Sequence, residues 1–154
     1  MKVKGVLKHA KVRGEWAELC FLERAVGRGL VVVKPWGETA RYDFAVDCGE
    51  GEFLRVQVKS TIFRAEGGYS CTTRGSRGPY ELGAFDYLAA YVIPEDVWYF
   101  IPAELVVGQG SIALYPGRKG SKYGPFEEAW ELLGGLEFNP QLSAGAGMVV
   151  MEAA

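Results

Sequence analysis

The stretch RYDFAVDCGEGEFLRVQVKS, residues 41–60, predicts two antiparallel strands joined by a tight turn. Apolar and polar side chains alternate over 41–48 and again over 53–60, a pattern typical of strands with one buried face. The glycines of GEGE, residues 49–52, favour a hairpin turn between the two strands. We therefore expect this hairpin to be the centre of the fold.

The register of the hairpin follows from parity. The polar residues of both strands carry odd numbers, and residues directly opposite each other lie on the same face. A three-residue loop over 49–51 keeps odd residues opposite odd residues, whereas a two-residue turn would mix the faces. This register places Asp43 opposite Gln57 and Arg41 opposite Lys59. It predicts one polar patch that contains Asp43, Gln57 and Lys59.

This patch combines a carboxylate, an amide and an ammonium group. The Asp43 carboxylate, the Gln57 carbonyl oxygen and the backbone carbonyl of Val58 are hard oxygen ligands that suit a divalent cation. Lys59 would then lie beside a metal-bound water or a scissile phosphate, where an ammonium group orients the water or compensates charge on phosphorus. A solvated ion pair between Asp43 and Lys59 explains the same pattern equally well.

Residues 14–27, GEWAELCFLERAVG, predict an amphipathic helix. In helical projection Glu18 and Glu15 both fall inside the apolar arc. A carboxylate that faces a core is costly unless it is paired or metal-bound, so Glu18 is a candidate for the same site. Glu15 has a simpler explanation, because acidic residues in the first helical turn favour the helix dipole. The arc is formed by Leu19, Phe21, Leu22, Ala25 and Val26.

The remaining pattern indicates a mixed α/β domain. Residues 61–73 predict a hairpin or an extended excursion, and residues 74–85 are rich in turns. The order of one helix, three strands, a connection, more strands and a helix differs from a regular βαβ repeat and disfavours a doubly wound nucleotide-binding fold. Further strands are predicted at 30–37, 86–94, 96–102 and 111–117, and a second helix at 125–134.

Length and composition limit the architecture and the location. With 154 residues, of which 49% are apolar, we expect one domain over 1–137 and a small, polar tail over 138–154 that favours partial disorder. The sequence has no apolar run that approaches the length of about 18 residues needed for a transmembrane helix, and it has no secretory signal pattern. Three widely spaced cysteines favour reduced thiols in the cytoplasm. His9 is the only histidine, which argues against a Ser-His-Asp triad or a histidine zinc site.

Charge is distributed unevenly. The first 80 residues carry 14 Lys and Arg against 9 Asp and Glu, whereas residues 81–154 carry 3 against 10. The net charge of −2 therefore conceals a basic half that is compatible with a phosphate-binding face. A merely solvated surface is the alternative interpretation.

Four motifs occur in a fixed order: a helical G-x-x-x-E ending at Glu18, PWGETARYD at 35–43, QVK at 57–59, and FDYLAAY followed by WYFIP within 85–102. This ordered set resembles the PD-(D/E)XK nuclease superfamily. It is similar to the branch of group I intron-associated homing endonucleases, in which glutamine takes the acidic position of the third motif. The resemblance covers roughly residues 10–105 and implies a restriction-endonuclease-like α/β core, with a mixed β-sheet flanked by helices.

The resemblance also implies roles for the site residues. Asp43 would be the central metal ligand, Glu18 would support the metal or its waters, and Lys59 would be the catalytic lysine. Gln57 would fill the usually acidic position and Val58 would contribute its backbone carbonyl. A neutral Gln57 removes one negative charge and leaves the number of metal ions open. Mg²⁺ fits such hard oxygen ligands, and Mn²⁺ is a possible substitute.

The implied activity is Mg²⁺-dependent, site-specific cleavage of double-stranded DNA. One site cuts one strand, so a homodimer or homotetramer is expected. Two alternatives remain: a junction-resolving nuclease on the same fold, and a catalytically silent DNA- or protein-binding domain. Candidate DNA-contacting residues, each of which has a plain surface role as its alternative, are Lys11, Arg13, Arg64, Ser70, Thr72, Arg74, Arg77 and Lys119.

Overall fold

A long helix and a mixed five-stranded sheet form the centre of the protein. The computed structural model describes residue 5 and residues 7–134. Helix α1 spans Ala10–Gly27. The strands within the described residues are β1 (Val31–Val33), β2 (Phe44–Gly49), β3 (Glu52–Thr61), β4 (Arg64–Ala65), β5 (Gly68–Thr72), β6 (Arg74–Gly75), β7 (Gly78–Pro79), β8 (Tyr87–Val92), β9 (Val97–Pro102) and β10 (Ser111–Leu114).

The central sheet has the strand order β1-β2-β3-β8-β9. Strands β3 and β8 run parallel, and the other neighbours are antiparallel. Helix α1 covers one face, where Phe21 packs against Phe44 and Trp98. The other face packs against a small sheet of order β10-β5-β4, in place of a second flanking helix. The predicted mixed α/β core is confirmed, and one α-helix flanks it among the described residues.

The pairing of β2 with β3 has the predicted register. It runs from Phe44 opposite Val56 to Asp47 opposite Phe53. The predicted partnership of Arg41 with Lys59 is wrong, because β2 begins only at Phe44. The Arg41 guanidinium lies outside the sheet and donates to the Glu81 carboxylate at 3.2 Å.

The turn of this hairpin differs from the predicted three-residue loop. Gly49 pairs with Glu52, so the turn contains only Glu50 and Gly51, whose φ angles are 56° and 83°. Positive φ at both central residues is the geometry of a type I′ turn, which matches the twist of the flanking strands. A bulge between Asp47 and Gly49 adds one residue to β2. The extra residue restores the register that a two-residue turn alone would have shifted.

Helix α1 begins four residues before the predicted start. The face that it buries against the sheet differs from the predicted apolar arc. Leu19 is 65% exposed and Val26 is 37% exposed, although both were expected to be buried. The small side chains of Ala17 and Ala25 let the helix lie close to the sheet, so apolar character alone predicted the buried face only in part. Glu18 borders the buried stripe. The stripe consists of Arg13, Ala17, Phe21 and Ala25.

The predicted second helix at 125–134 is replaced by two 3₁₀ turns, Gly124–Phe126 and Trp130–Leu133. Glu128 between them has a φ of 51°, which interrupts a right-handed helix. Its carboxylate accepts the backbone N–H of Trp98 at 2.7 Å, and its own N–H donates to the Trp98 carbonyl at 2.7 Å. These bonds fasten the segment to the outer edge of β9.

The predicted strand at 30–37 shortens to β1, an edge strand whose Val31 is 61% exposed. The expected excursion at 61–73 is the β4–β5 hairpin. The tail predicted at 138–154 lies outside the described residues. In the part of the chain that is described, no helix is long and apolar enough to cross a membrane.

Candidate active site

Asp43 immediately precedes β2 and is fixed to β3 by its backbone and its side chain. Its N–H donates to the Val56 carbonyl at 2.9 Å. One carboxylate oxygen, Oδ2, accepts hydrogen bonds from the Gln57 side-chain amide at 2.6 Å and from the Val58 N–H at 2.8 Å. The structure therefore brings Asp43, Gln57 and Val58 together at the point where β3 extends past the start of β2.

The Gln57 amide nitrogen lies between two of the proposed metal ligands. It donates to Asp43 Oδ2 and approaches the Val58 carbonyl oxygen at 3.3 Å. Two oxygens thus converge on one electropositive group, and a hard divalent cation likewise binds converging oxygen atoms. Rotation of the Gln57 amide would present its Oε1 atom as a third oxygen. The donor set therefore fits Mg²⁺ or Mn²⁺, although the described residues contain no cluster of three or more His, Cys, Asp or Glu side chains.

The environment of Asp43 disfavours its charge in the absence of a cation. Burial raises the pKa of Asp43 from 3.8 to about 6, and the nearby Glu18 carboxylate adds to this rise. The Val58 N–H, Lys59 and Lys34 act in the opposite direction. A divalent cation at this point would stabilise the ionised carboxylate.

Glu18 reaches the site from α1, but its carboxylate is already paired. Glu18 Oε2 lies 2.6 Å from Nζ of Lys34, and its side chain is 31% exposed. Glu15 is exposed and makes no such contact. Sequence analysis missed Lys34. The pairing of Val33 with Ala45 carries the following residue, Lys34, to a position next to Phe44, and the Lys34 ammonium lies 4.6 Å from the centre of the Phe44 ring.

Lys59 is two residues beyond Gln57 on β3, and its ammonium lies 5.5 Å from the centre of the Tyr80 ring. Tyr80 follows β7 and packs edge-on against Phe85 at 5.1 Å between ring centres. Tyr80 is the second site residue that sequence analysis missed. It comes from a turn-rich segment that is positioned by contacts with distant residues, such as the hydrogen bond from the Gly108 N–H to the Tyr80 carbonyl at 3.3 Å.

Two clefts meet at Asp43, Gln57 and Lys59. One has a volume of about 490 Å³ and is closed on its far side by the β6–β7 hairpin. The other has a volume of about 430 Å³ and lies between β3 and the first half of α1. Because both clefts are lined by these three residues, the site is open along a continuous path across the end of β3.

The candidate DNA-contacting residues are distributed unevenly around these clefts. Arg77 lines the cleft at the hairpin, and Ser70 and Thr72 line the cleft at α1. Arg13 lines the latter cleft too, but it is only 9% exposed and its guanidinium donates to the Leu7 carbonyl at 2.8 Å. Arg64 lies 3.6 Å from Glu95. Lys11, Arg74 and Lys119 are exposed and line neither cleft.

Residues 8–115 match the family model for PD-(D/E)XK endonucleases. The chain is also similar to the solved structure of a bacterial homing endonuclease, I-Ssp6803I, with 31% sequence identity and a TM-score of 0.66 over 90% of this chain and 96% of that chain. A second solved structure is the Holliday junction resolvase Hjc of the archaeal hyperthermophile Archaeoglobus fulgidus. It has 16% identity and a TM-score of 0.47 over 80% of this chain and 98% of that chain. No curated protein matches the chain significantly.

Proposed function

The chain belongs to the PD-(D/E)XK endonuclease family, and from that membership we propose that it is a Mg²⁺-dependent endonuclease that cleaves double-stranded DNA at specific sites. The observation that carries this proposal is the convergence of the Asp43 carboxylate and the Val58 carbonyl on one electropositive group. Lys59 lies on the same strand face, in a cleft that is open to a substrate.

Asp43, the Gln57 Oε1 atom and the Val58 carbonyl would hold the cation. Bound there, Mg²⁺ would act as a Lewis acid towards the phosphate and lower the pKa of a bound water. Mn²⁺, which accepts the same oxygen ligands, is the expected substitute. Asp43 supplies the negative charge of this ligand set, since Gln57 and Val58 contribute neutral oxygens.

Lys59 has two roles in the proposed reaction. Its ammonium lies against the Tyr80 ring, which restricts the side chain to the cleft. From there it stabilises the negative charge that develops on the phosphoryl oxygens and orients the attacking water. Glu18 would support the waters around the cation from the other cleft.

The path across the end of β3 supports DNA as the substrate. A DNA strand that lies in both clefts would place a phosphate beside Lys59, with Arg77 on one side and Ser70 and Thr72 on the other. Lys11, Arg74 and Lys119 are proposed as additional phosphate contacts. Arg13 and Arg64 remain proposed contacts as well, although each already has a partner within the chain.

Site-specific cleavage of the homing type is proposed because the similarity to the bacterial homing endonuclease extends over 96% of that chain. One site per chain cuts one strand, so a homodimer or homotetramer is proposed for duplex cleavage. The three cysteines are free, which fits the proposed location in the reducing cytoplasm.

A nicking assay tests the proposed function. The purified protein is incubated with a plasmid library of many sequences in Mg²⁺ or in EDTA, and the ends produced are sequenced. We expect cleavage at defined sites in Mg²⁺ alone, and loss of cleavage in Asp43→Asn and Lys59→Ala, each with DNA binding retained. Glu52→Gln in the hairpin and Lys122→Ala after β10, both exposed in the wild type, are the matched controls. Cleavage that survives either site variant would overturn the mechanism. A catalytically silent domain, the alternative, would bind no Mn²⁺ through Asp43.

A further inference from the structure

Lys34 is a basic residue of the site that the family motifs do not include. Its ammonium is held by the Glu18 carboxylate at 2.6 Å and by the face of the buried Phe44 ring at 4.6 Å. Phe44 is the residue directly after Asp43. Lys34 therefore connects the carboxylate that arrives from α1 with the strand that carries the central aspartate.

The charged side chains that act most directly on Asp43 are Glu18, Lys59 and Lys34. With Asp43 ionised, these four groups contribute two negative and two positive charges before any cation binds. The third-motif position holds the neutral Gln57, and the described residues contain no group of three or more His, Cys, Asp or Glu side chains that could hold a metal ion. Sites that hold two divalent ions need several anionic ligands to offset four positive charges. Of the two carboxylates Asp43 and Glu18, only Glu18 is paired directly with a lysine.

We propose that Lys34 supplies the second positive charge of this centre and positions Glu18, so that each chain binds a single divalent ion, at Asp43. This inference rests on the proposed metal dependence. Lys34 acts through Glu18 and through its field at Asp43, and it is thus a positioning residue. Its ammonium keeps the Glu18 carboxylate from serving as a direct ligand of a second ion.

The proposed role of Lys34 is tested by removing its charge. In Lys34→Met, Glu18 loses its partner and two carboxylates face the cation. We expect the first Mn²⁺ ion to bind about tenfold more tightly than in the wild type, because a nearby positive charge that repels the cation is lost and the Glu18 carboxylate is no longer neutralised. Lys34→Arg, which keeps the charge, should remain within about twofold of the wild type. Adding Glu18→Gln to Lys34→Met should return the affinity towards the wild-type value.

Mn²⁺ titration of the full chain, followed by electron paramagnetic resonance of free Mn²⁺, measures stoichiometry and affinity without any cleavage. Lys122→Met is the matched control, since it removes an exposed lysine that lines neither cleft. One Mn²⁺ per wild-type chain, together with tighter binding in Lys34→Met and normal binding in Lys34→Arg, supports the inference. The stoichiometry of the wild type is independent of whether any variant folds.

Three results overturn the inference, and they have different meanings. Two Mn²⁺ ions per wild-type chain would exclude a single-ion centre. Unchanged affinity in a folded Lys34→Met variant would remove the role of Lys34 and leave the proposed nuclease intact. No Mn²⁺ binding to the wild type at all would reject the proposed metal dependence itself, and the role of Lys34 with it.

Discussion

The side-chain nitrogen of Gln57 lies 2.6 Å from the Asp43 carboxylate oxygen that also accepts the Val58 N–H. This hydrogen bond joins the residue before β2 to the buried part of β3 that extends past the start of β2. A neutral amide can donate to Asp43 in the absence of metal, whereas an acidic residue at the same position would place two carboxylates in contact. The glutamine thus lets this arrangement form without metal, and it leaves one negative charge fewer for the proposed cation.

The first prediction concerns this amide. In Gln57→Glu, the loss of the hydrogen bond and the repulsion from Asp43 should lower the free energy of unfolding in EDTA by about 1–3 kcal/mol. Saturating Mn²⁺ should restore the lost stability, because two carboxylates then share one cation. Thermal unfolding in EDTA and in Mn²⁺ measures both effects. Gln57→Met, which loses the hydrogen bond but adds no charge, should gain less stability from Mn²⁺ than Gln57→Glu. Equal stability of Gln57→Glu and the wild type in EDTA would be incompatible with this contact.

The second prediction follows from the raised pKa of Asp43. Burial moves this pKa from 3.8 to about 6 in the metal-free fold, so the fold favours the protonated form. The resulting stability is fully present below about pH 4 and is lost as the pH rises through about 6, by up to about 3 kcal/mol. Asp43→Asn should therefore be more stable than the wild type at pH 8 in EDTA, and this advantage should disappear near pH 4. Urea unfolding across this range measures the difference. A difference that is constant with pH would show that Asp43 does not titrate in this way.

The third prediction compares the two carboxylates. Asp43→Asn removes the only charged ligand of the proposed cation, whereas the Glu18 carboxylate is paired with Lys34. We expect Glu18→Gln to reduce cleavage by about 10–100-fold, in the range of residues that support a metal ligand. Asp43→Asn should reduce it further, to the background. Single-turnover cleavage rates at saturating Mg²⁺ decide the order, and a larger loss in Glu18→Gln would reverse the assigned roles.

The fourth prediction concerns the Tyr80 ring. Because the ring restrains the Lys59 ammonium, Tyr80→Ala should slow cleavage by about tenfold or less, in keeping with the strength of cation–π contacts. Tyr80→Phe keeps the ring and should behave like the wild type. DNA affinity, measured with Ca²⁺ in place of Mg²⁺, serves as the control and should change little in either variant. Equal defects in both variants would assign the effect to the hydroxyl group.

The hairpin register could be predicted from sequence, because a half-buried strand tolerates only one parity of pairing. The turn could not, since the bulge at Cys48 has no signature in the alternation. The shorter turn and the bulge compensate each other, so Asp43 and Gln57 lie together as the parity argument predicted. The register could be predicted because it depends on which face of each strand is buried.

Features that depend on contacts between distant elements could not be predicted. The helix face was misjudged because Ala17 and Ala25 let α1 approach the sheet while Leu19 faces outward. The expected second helix is interrupted at Glu128, whose backbone N–H donates to the carbonyl of Trp98 on β9. Lys34 and Tyr80 enter the site from neighbouring segments whose positions are set by strand pairing and aromatic packing.

The central claim is that Asp43, Gln57 and Val58 hold one divalent ion. Anomalous diffraction from crystals grown with Mn²⁺ locates such an ion directly. We predict one Mn²⁺ per chain at ligand distance from the Asp43 carboxylate, the Gln57 Oε1 atom and the Val58 carbonyl oxygen. An ordered Mn²⁺ ion bound by other residues, with this position empty, would contradict the account.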